Sequence, residues 1–196
     1  MLKRTLICST AALAIALAAP GCTTTGPSNP SNANGQQMDK RQTIDAGVDS
    51  TLSRLYVDAK GSRELVSKAK GVLIFPSVID AGFVVGGQYG EGSLRVGGHT
   101  VGYYSTATGS VGWQIGAQSR AIVFLFMTDE SLRHFRSTDG WSAGGDASVA
   151  VLKIGANGNV DTSTAGGQVD AFVLTNAGLM AGASLEGTKV TRLNSL

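Results

Sequence analysis

Apolar residues change their spacing several times along this chain of 196 residues, and each change marks a new element. Leu6 to Ala19 is an apolar run broken only by Ser9 and Thr10, with Lys3 and Arg4 before it and Pro20-Gly21-Cys22 after it. A charged start, a short apolar stretch and small residues at its end make a secretory signal, and the run is too short to span a bilayer comfortably. Residues 23–38 (TTTGPSNPSNANGQQM) hold almost nothing apolar and read as a flexible tether. Over 39–58, Ile44, Val48, Leu52, Leu55 and Tyr56 recur at steps of three and four, which predicts an amphipathic helix. Ser62 to Lys70 predicts a second short helix, with Leu65, Val66 and Ala69 on one side and Gly71 at its end.

From Gly71 the period shifts to that of strands. Val72 to Phe75 is apolar throughout and is expected to stop at Pro76. Ala81 to Tyr89 is interrupted by glycine, and Leu94 and Val96 alternate with Ser93 and Arg95. Val111, Trp113, Ile115 and Ala117 alternate with polar or small residues. Ala121 to Met127 is wholly apolar, as in a central strand covered on both faces. One helix interrupts: Thr128 is the expected N-cap, acidic Asp129 and Glu130 open it, and Arg133, His134 and Arg136 close it. Leu132 and Phe135 are expected to face the sheet, and Met127 to staple against Leu132. Strands resume at 147–154, 169–174, 179–185 and 188–193, with a hairpin turn at Asn157-Gly158. The expected fold class is α+β: N-terminal helices packed on a largely antiparallel, glycine-rich sheet or open barrel, with one inserted helix.

Composition narrows the function. The 16 Lys and Arg exceed the 14 Asp and Glu only through Lys3 and Arg4 in the signal, so the remaining domain is near neutral and lacks the basic excess of a nucleic-acid binder. Of the two cysteines, Cys8 lies in the signal, which leaves Cys22 with no partner for an internal disulfide. A cysteine directly after small residues is the acceptor pattern of a bacterial lipoprotein, cut before Cys22 and acylated on it. Ala19 stands where most such signals have Leu, and cleavage near Ala16-Leu17-Ala18, giving a soluble periplasmic protein, is the alternative. Thr23 after the acylated residue, with no Asp there, directs the anchored protein to the periplasmic face of the outer membrane.

Catalytic chemistry has little to work with. His99 and His134 fall in a turn and on a surface helix, and no Cys-His or Glu-x-x-His spacing points to zinc, so neither metal nor cofactor is expected. Gly109-Ser110-Val111-Gly112 lacks the first glycine of a nucleophile elbow. Gly86 to Gly92 lacks phosphate-loop spacing, Gly187-Thr188-Lys189 inverts the order of a phosphate-binding lysine motif, and both read as hairpin turns and bulges. Asp80, Glu91, Asp146, Asp161, Asp170 and Glu186 read as solvated loop carboxylates, and Trp113 and Trp141 as core or rim aromatics. The basic segment Arg54, Lys60, Arg63, Lys68 and Lys70, set against Asp58 and Glu64, is the candidate contact for anionic headgroups, at ~1 kcal/mol per cation near a surface.

Four stretches carry a family resemblance: Ala69 to Val96, Val111 to Phe135, Asp146 to Gly158 and Ala171 to Leu193. In this order they resemble the SYLF domain, and the expected domain runs from 39 to 196, after a signal at 1–21 and a tether at 22–38. The resemblance implies a non-enzymatic membrane-phospholipid binder. Eukaryotic members bind phosphoinositides through a helical segment preceding the β region, and some bind actin. The helices at 39–58 and 62–70 occupy that place here. A periplasm offers neither actin filaments nor, in general, phosphoinositides, so those ligands do not transfer directly. The alternative reading is a structural module that binds an envelope protein, with lipid serving only as anchor.

Overall fold

The structure is a computed structural model and describes residues 30–82, 85–111, 118–155, 158–161, 163, 165–180 and 183–196. The signal, Cys22, Trp113, Ile115 and Asn157 lie outside the described residues.

Helix α1 spans Pro30–Asp58 and α2 spans Ser62–Lys68. α1 starts nine residues before the apolar period does, so 30–38, read as part of the tether, is helical. Pro30 is suited to a first helical turn, and a docked helix extends over polar residues at little cost. Gly61, at φ +89°, turns the chain between the helices, and the Ser62 hydroxyl donates to the Leu55 carbonyl at 3.1 Å.

The strands that follow are β1 (Gly71–Gly82), β2 (Val85–Val96), β3 (His99–Val111) and β4 (Gln118–Phe126). After them come helix α3 (Asp129–Ser137), β5 (Trp141–Ser142), β6 (Val149–Val151), β7 (Lys153–Ile154), β8 (Val160–Asp161), β9 (Val169–Thr175), β10 (Gly178–Leu179) and β11 (Lys189–Arg192). The main sheet runs β10-β9-β4-β1-β2-β3-β11-β5 with β6 added parallel to β9, and β7 pairs only with β8. Every other pairing is antiparallel, so the α+β expectation holds.

Several local expectations are corrected. β1 does not stop at Pro76: the strand runs through it, and its register to both neighbours shifts there. A bulge is where a residue without an N–H is tolerated inside a sheet. His99 is not a turn residue but the first of β3, behind the two-residue turn Gly97-Gly98, whose φ values are both positive. Asp80, Glu91, Asp161 and Asp170 lie in strands rather than loops. Residues 183–185 are not a strand, although Leu185 is buried. Thr128 caps α3 as expected, accepting from the Ser131 N–H at 3.1 Å, but Met127 and Leu132 pack into different clusters and form no staple.

The sheet separates two cores, because alternate residues point to opposite faces. One face carries Leu73, Phe75, Ile122, Phe124, Phe126, Val169 and Val173, closed over by Leu132 and Phe135 of α3. The other carries Val72, Ile74, Val123, Leu125, Phe172 and Leu174, covered by α1. The sheet is strongly curled. β5 lies five strands from β4, a distance of roughly 24 Å if flat. Yet the Trp141 ring of β5 meets Phe124 and Phe126 of β4 at 5.9 and 6.1 Å. The first face is therefore the inside of a half-barrel and the second its outside.

Candidate functional site

Of the five candidate cations α1 carries Arg54 and α2 carries Arg63 and Lys68, while Lys60 and Lys70 flank α2. Ile44, Val48, Leu55 and Ala59 form the buried stripe of α1 against the outer face. Beside that stripe runs a polar seam. The Asp45 carboxylate accepts from the hydroxyls of Ser93 (3.1 Å), Thr100 (2.9 Å) and Tyr103 (2.7 Å). Asp49 pairs with Arg95, and Lys40 with Glu91 at 2.8 Å, where Glu91 also accepts from the Tyr89 hydroxyl. Burial and then the bond to Asp45 push the Tyr103 phenol up to about 12, against the smaller pull of Arg41 and Arg95. Burial would raise Glu91, but the bonds from Lys40 and Tyr89 outweigh it and hold its carboxyl low. None of these seam residues was singled out as a site from sequence. The signal was there: Asp45 and Asp49 are four apart and immediately follow Ile44 and Val48, so they border the apolar stripe on one helix face.

The structure gives the five predicted basic residues different surroundings. Arg54 is half-buried on α1, with its Nε buried and without a hydrogen bond. Lys60 is exposed, and its backbone joins the β7–β8 hairpin through Gly158 and Val160. Arg63 stacks over the Tyr56 ring at 4.1 Å. Lys68 is bonded to Glu64 at 2.7 Å, and that bond holds the Glu64 carboxyl below its ordinary value. Lys70 faces Asp129 of α3 at 3.8 Å. Arg54, Lys60 and Arg63 thus cluster in sequence around the α1–α2 corner, where Val57 stands 80% exposed, while Lys68 and Lys70 are matched by acids.

Residues 107–195 match the profile of the Ysc84 family, described as Las17-binding protein actin regulator. The matched segment is consistent with the SYLF domain family. The match takes in three of the four stretches that carried the resemblance and leaves out Ala69 to Val96. No protein of curated function matches the chain.

The family's description is that of a binding protein. His99 and His134 are both exposed, on β3 and α3. Among the described residues no three His, Cys, Asp or Glu side chains converge as metal ligands, and no helix is long and apolar enough to cross a membrane. A cleft of about 440 Å³ separates β6 from residues 183–186, with Val149, Val151 and Leu185 inside and Lys153 and Glu186 among its lining. Its serines, Ser148 and Ser184, have no histidine beside them in the lining. The SYLF segment contributes β4, α3 and the strands that close the curl, whereas α1, α2 and the candidate cations precede it.

Proposed function

We propose that the protein is an exported lipoprotein, acylated on Cys22 and held at the periplasmic face of the outer membrane, whose SYLF domain binds phospholipid and catalyses no reaction. The observation that carries the reading is the α1–α2 corner: exposed Val57 among Arg54, Lys60 and Arg63, in the element that leads back to the signal and Cys22. An apolar tip flanked by cations suits the boundary between headgroups and acyl chains. Acylation supplies the anchor, since each buried CH₂ contributes ~0.8 kcal/mol, and the corner then sets how the domain sits on the surface.

Flotation of residues 30–196 with vesicles tests the corner without the anchor. Recovery is expected to rise with anionic lipid, to fall with salt, and to drop strongly in Lys60→Glu/Arg63→Glu. Lys70→Gln, which removes a cation already matched by Asp129, is expected to change it little. Equal recovery on neutral and anionic vesicles, unaltered by the double reversal, rules the corner out.

A second reading has its own support, because the family description names a protein partner. On that reading the domain binds an envelope protein and lipid is only the anchor. Pull-down from envelope extracts that recovers one protein and no phospholipid by mass spectrometry favours it.

A further inference from the structure

The inner face of the half-barrel changes character along its strands. Toward α3 it is aromatic, with Phe75, Phe124, Phe126, Phe135 and Trp141 in ring contact. Toward the opposite end the same face turns polar. Val78 belongs to the inner core, and two residues on, Asp80 shares its face. The register sets Asp80 opposite Gln88, Gln88 opposite Thr108, and Val78 opposite Arg120. Four polar side chains from four adjacent strands therefore meet on the concave side.

The pairing among them is incomplete. Arg120 Nη2 lies 3.5 Å from Asp80 Oδ1, with side-chain exposures of 17% and 21%. Arg120 Nε and Asp80 Oδ1 are nevertheless both buried without a hydrogen bond. A half-buried ion pair is a weak stabiliser even when complete, and polar atoms taken from water without a partner cost stability. Apolar residues on these strands would serve the fold better. The arrangement makes sense if something else completes it. A simple anion attracted by Arg120 meets repulsion from Asp80, and a simple cation meets the reverse. A group carrying both charges satisfies both.

We propose that Asp80 and Arg120, with Gln88 and Thr108 beside them, bind a zwitterionic aminoalkyl phosphate: the phosphate on the Arg120 guanidinium and a primary ammonium on the Asp80 carboxylate. The guanidinium fork suits phosphate oxygens, and a primary ammonium brings the N–H donors that the carboxylate lacks. This chemistry occurs both in ethanolamine phospholipids and in free phosphoethanolamine. As a lipid site it rests on the phospholipid-binding reading above, but it lies on a different face from the α1–α2 corner.

The test measures binding to the full chain of O-phosphoethanolamine, O-phosphocholine, glycerol 3-phosphate and a short-chain ethanolamine phospholipid below its micellar concentration. An ethanolamine compound is expected to bind about tenfold more tightly than its choline or glycerol counterpart, the effect of one charge-assisted hydrogen bond. Asp80→Asn is expected to abolish that preference, and Arg120→Gln to abolish binding of all the phosphates. Arg120→Lys, which keeps the charge and loses the fork, covers the case in which Arg120→Gln fails to fold. Binding of the lipid alone assigns the site to a membrane headgroup, and binding of both assigns it to the free group as well. No binding of either ethanolamine compound, or wild-type binding by folded Asp80→Asn and Arg120→Lys, overturns the proposal. Vesicle flotation that survives this result leaves the corner standing, and a bound ethanolamine compound with failed flotation leaves the inner site standing alone.

Discussion

Asp170 shows how a single side chain can set a pH dependence. It is 1% exposed in the middle of β9, opposite Leu125 of β4, with one carboxylate oxygen unbonded. Burial raises its affinity for a proton, and the nearby N–H groups of Gly166 and Gly167 only partly oppose that. The folded chain therefore holds this proton to higher pH than the unfolded chain does. Its contribution to stability is greatest below the ordinary carboxylate value near 3.9, and is lost as pH rises from there through the raised value. Asp170→Asn is expected to be more stable than the wild type at pH 7, and the advantage is expected to vanish near pH 3. Urea midpoints across that range check it, and a constant difference between the two proteins excludes the titration. Gly92 is sensitive for another reason. A Cβ there would lie 1.9 Å from the Ile74 carbonyl oxygen beside the Pro76 bulge, whereas at Gly109 it would meet nothing within 4 Å. Gly92→Ala is expected to cost at least about 1–3 kcal/mol, and Gly109→Ala to be tolerated. Comparable solubility and denaturation midpoints for the two variants would contradict the close approach.

α1 is held by two kinds of contact, and they can be separated experimentally. Its second half is held by the apolar stripe of Val48, Leu55 and Ala59, and its first half by ion pairs and the Asp45 hydroxyl cluster. Asp45→Ala leaves three hydroxyls without their acceptor. It is expected to speed amide hydrogen exchange over residues 34–45 while 48–59 stay protected, and to let Tyr103 ionise below about 12. Leu55→Ala, at a cost of about 2–5 kcal/mol, is expected to loosen both halves. Uniform exchange in Asp45→Ala would show that the seam holds nothing by itself. This division also marks what was legible in the sequence. The period from Ile44 to Tyr56 predicted the helix and its buried face, and Thr128 with its acidic first turn predicted the start of α3. Neither the helical 30–38 nor the continuation of β1 through Pro76 shows in a local pattern. One depends on a docked helix growing outward, the other on a bulge shared with two neighbouring strands. The polar residues were harder still: the Glu64–Lys68 spacing of four is readable on the predicted helix, but Lys70 is matched only once α3 is placed.

At the scale of the whole molecule, closure depends on residues distant in sequence. Trp141 touches Phe124, Phe126 and Phe135 and so ties one end of the sheet to its middle. Trp141→Ala is expected to cost about 3–5 kcal/mol, against less than about 0.5 for Ile79→Ala on the exposed outer face. Equal costs by chemical denaturation would mean that the curl does not depend on this ring. Strand order has a consequence for biogenesis. β11 lies between β3 and β5 and pairs with Tyr104 to Ala107 of β3, so until residues 189–192 leave the ribosome that stretch of β3 joins the rest of an open edge. A nascent chain arrested before Lys189 carries a long unpaired edge, a template for joining its neighbours. Whatever delays those last residues leaves the far end of the sheet without the strand that joins β5 to it.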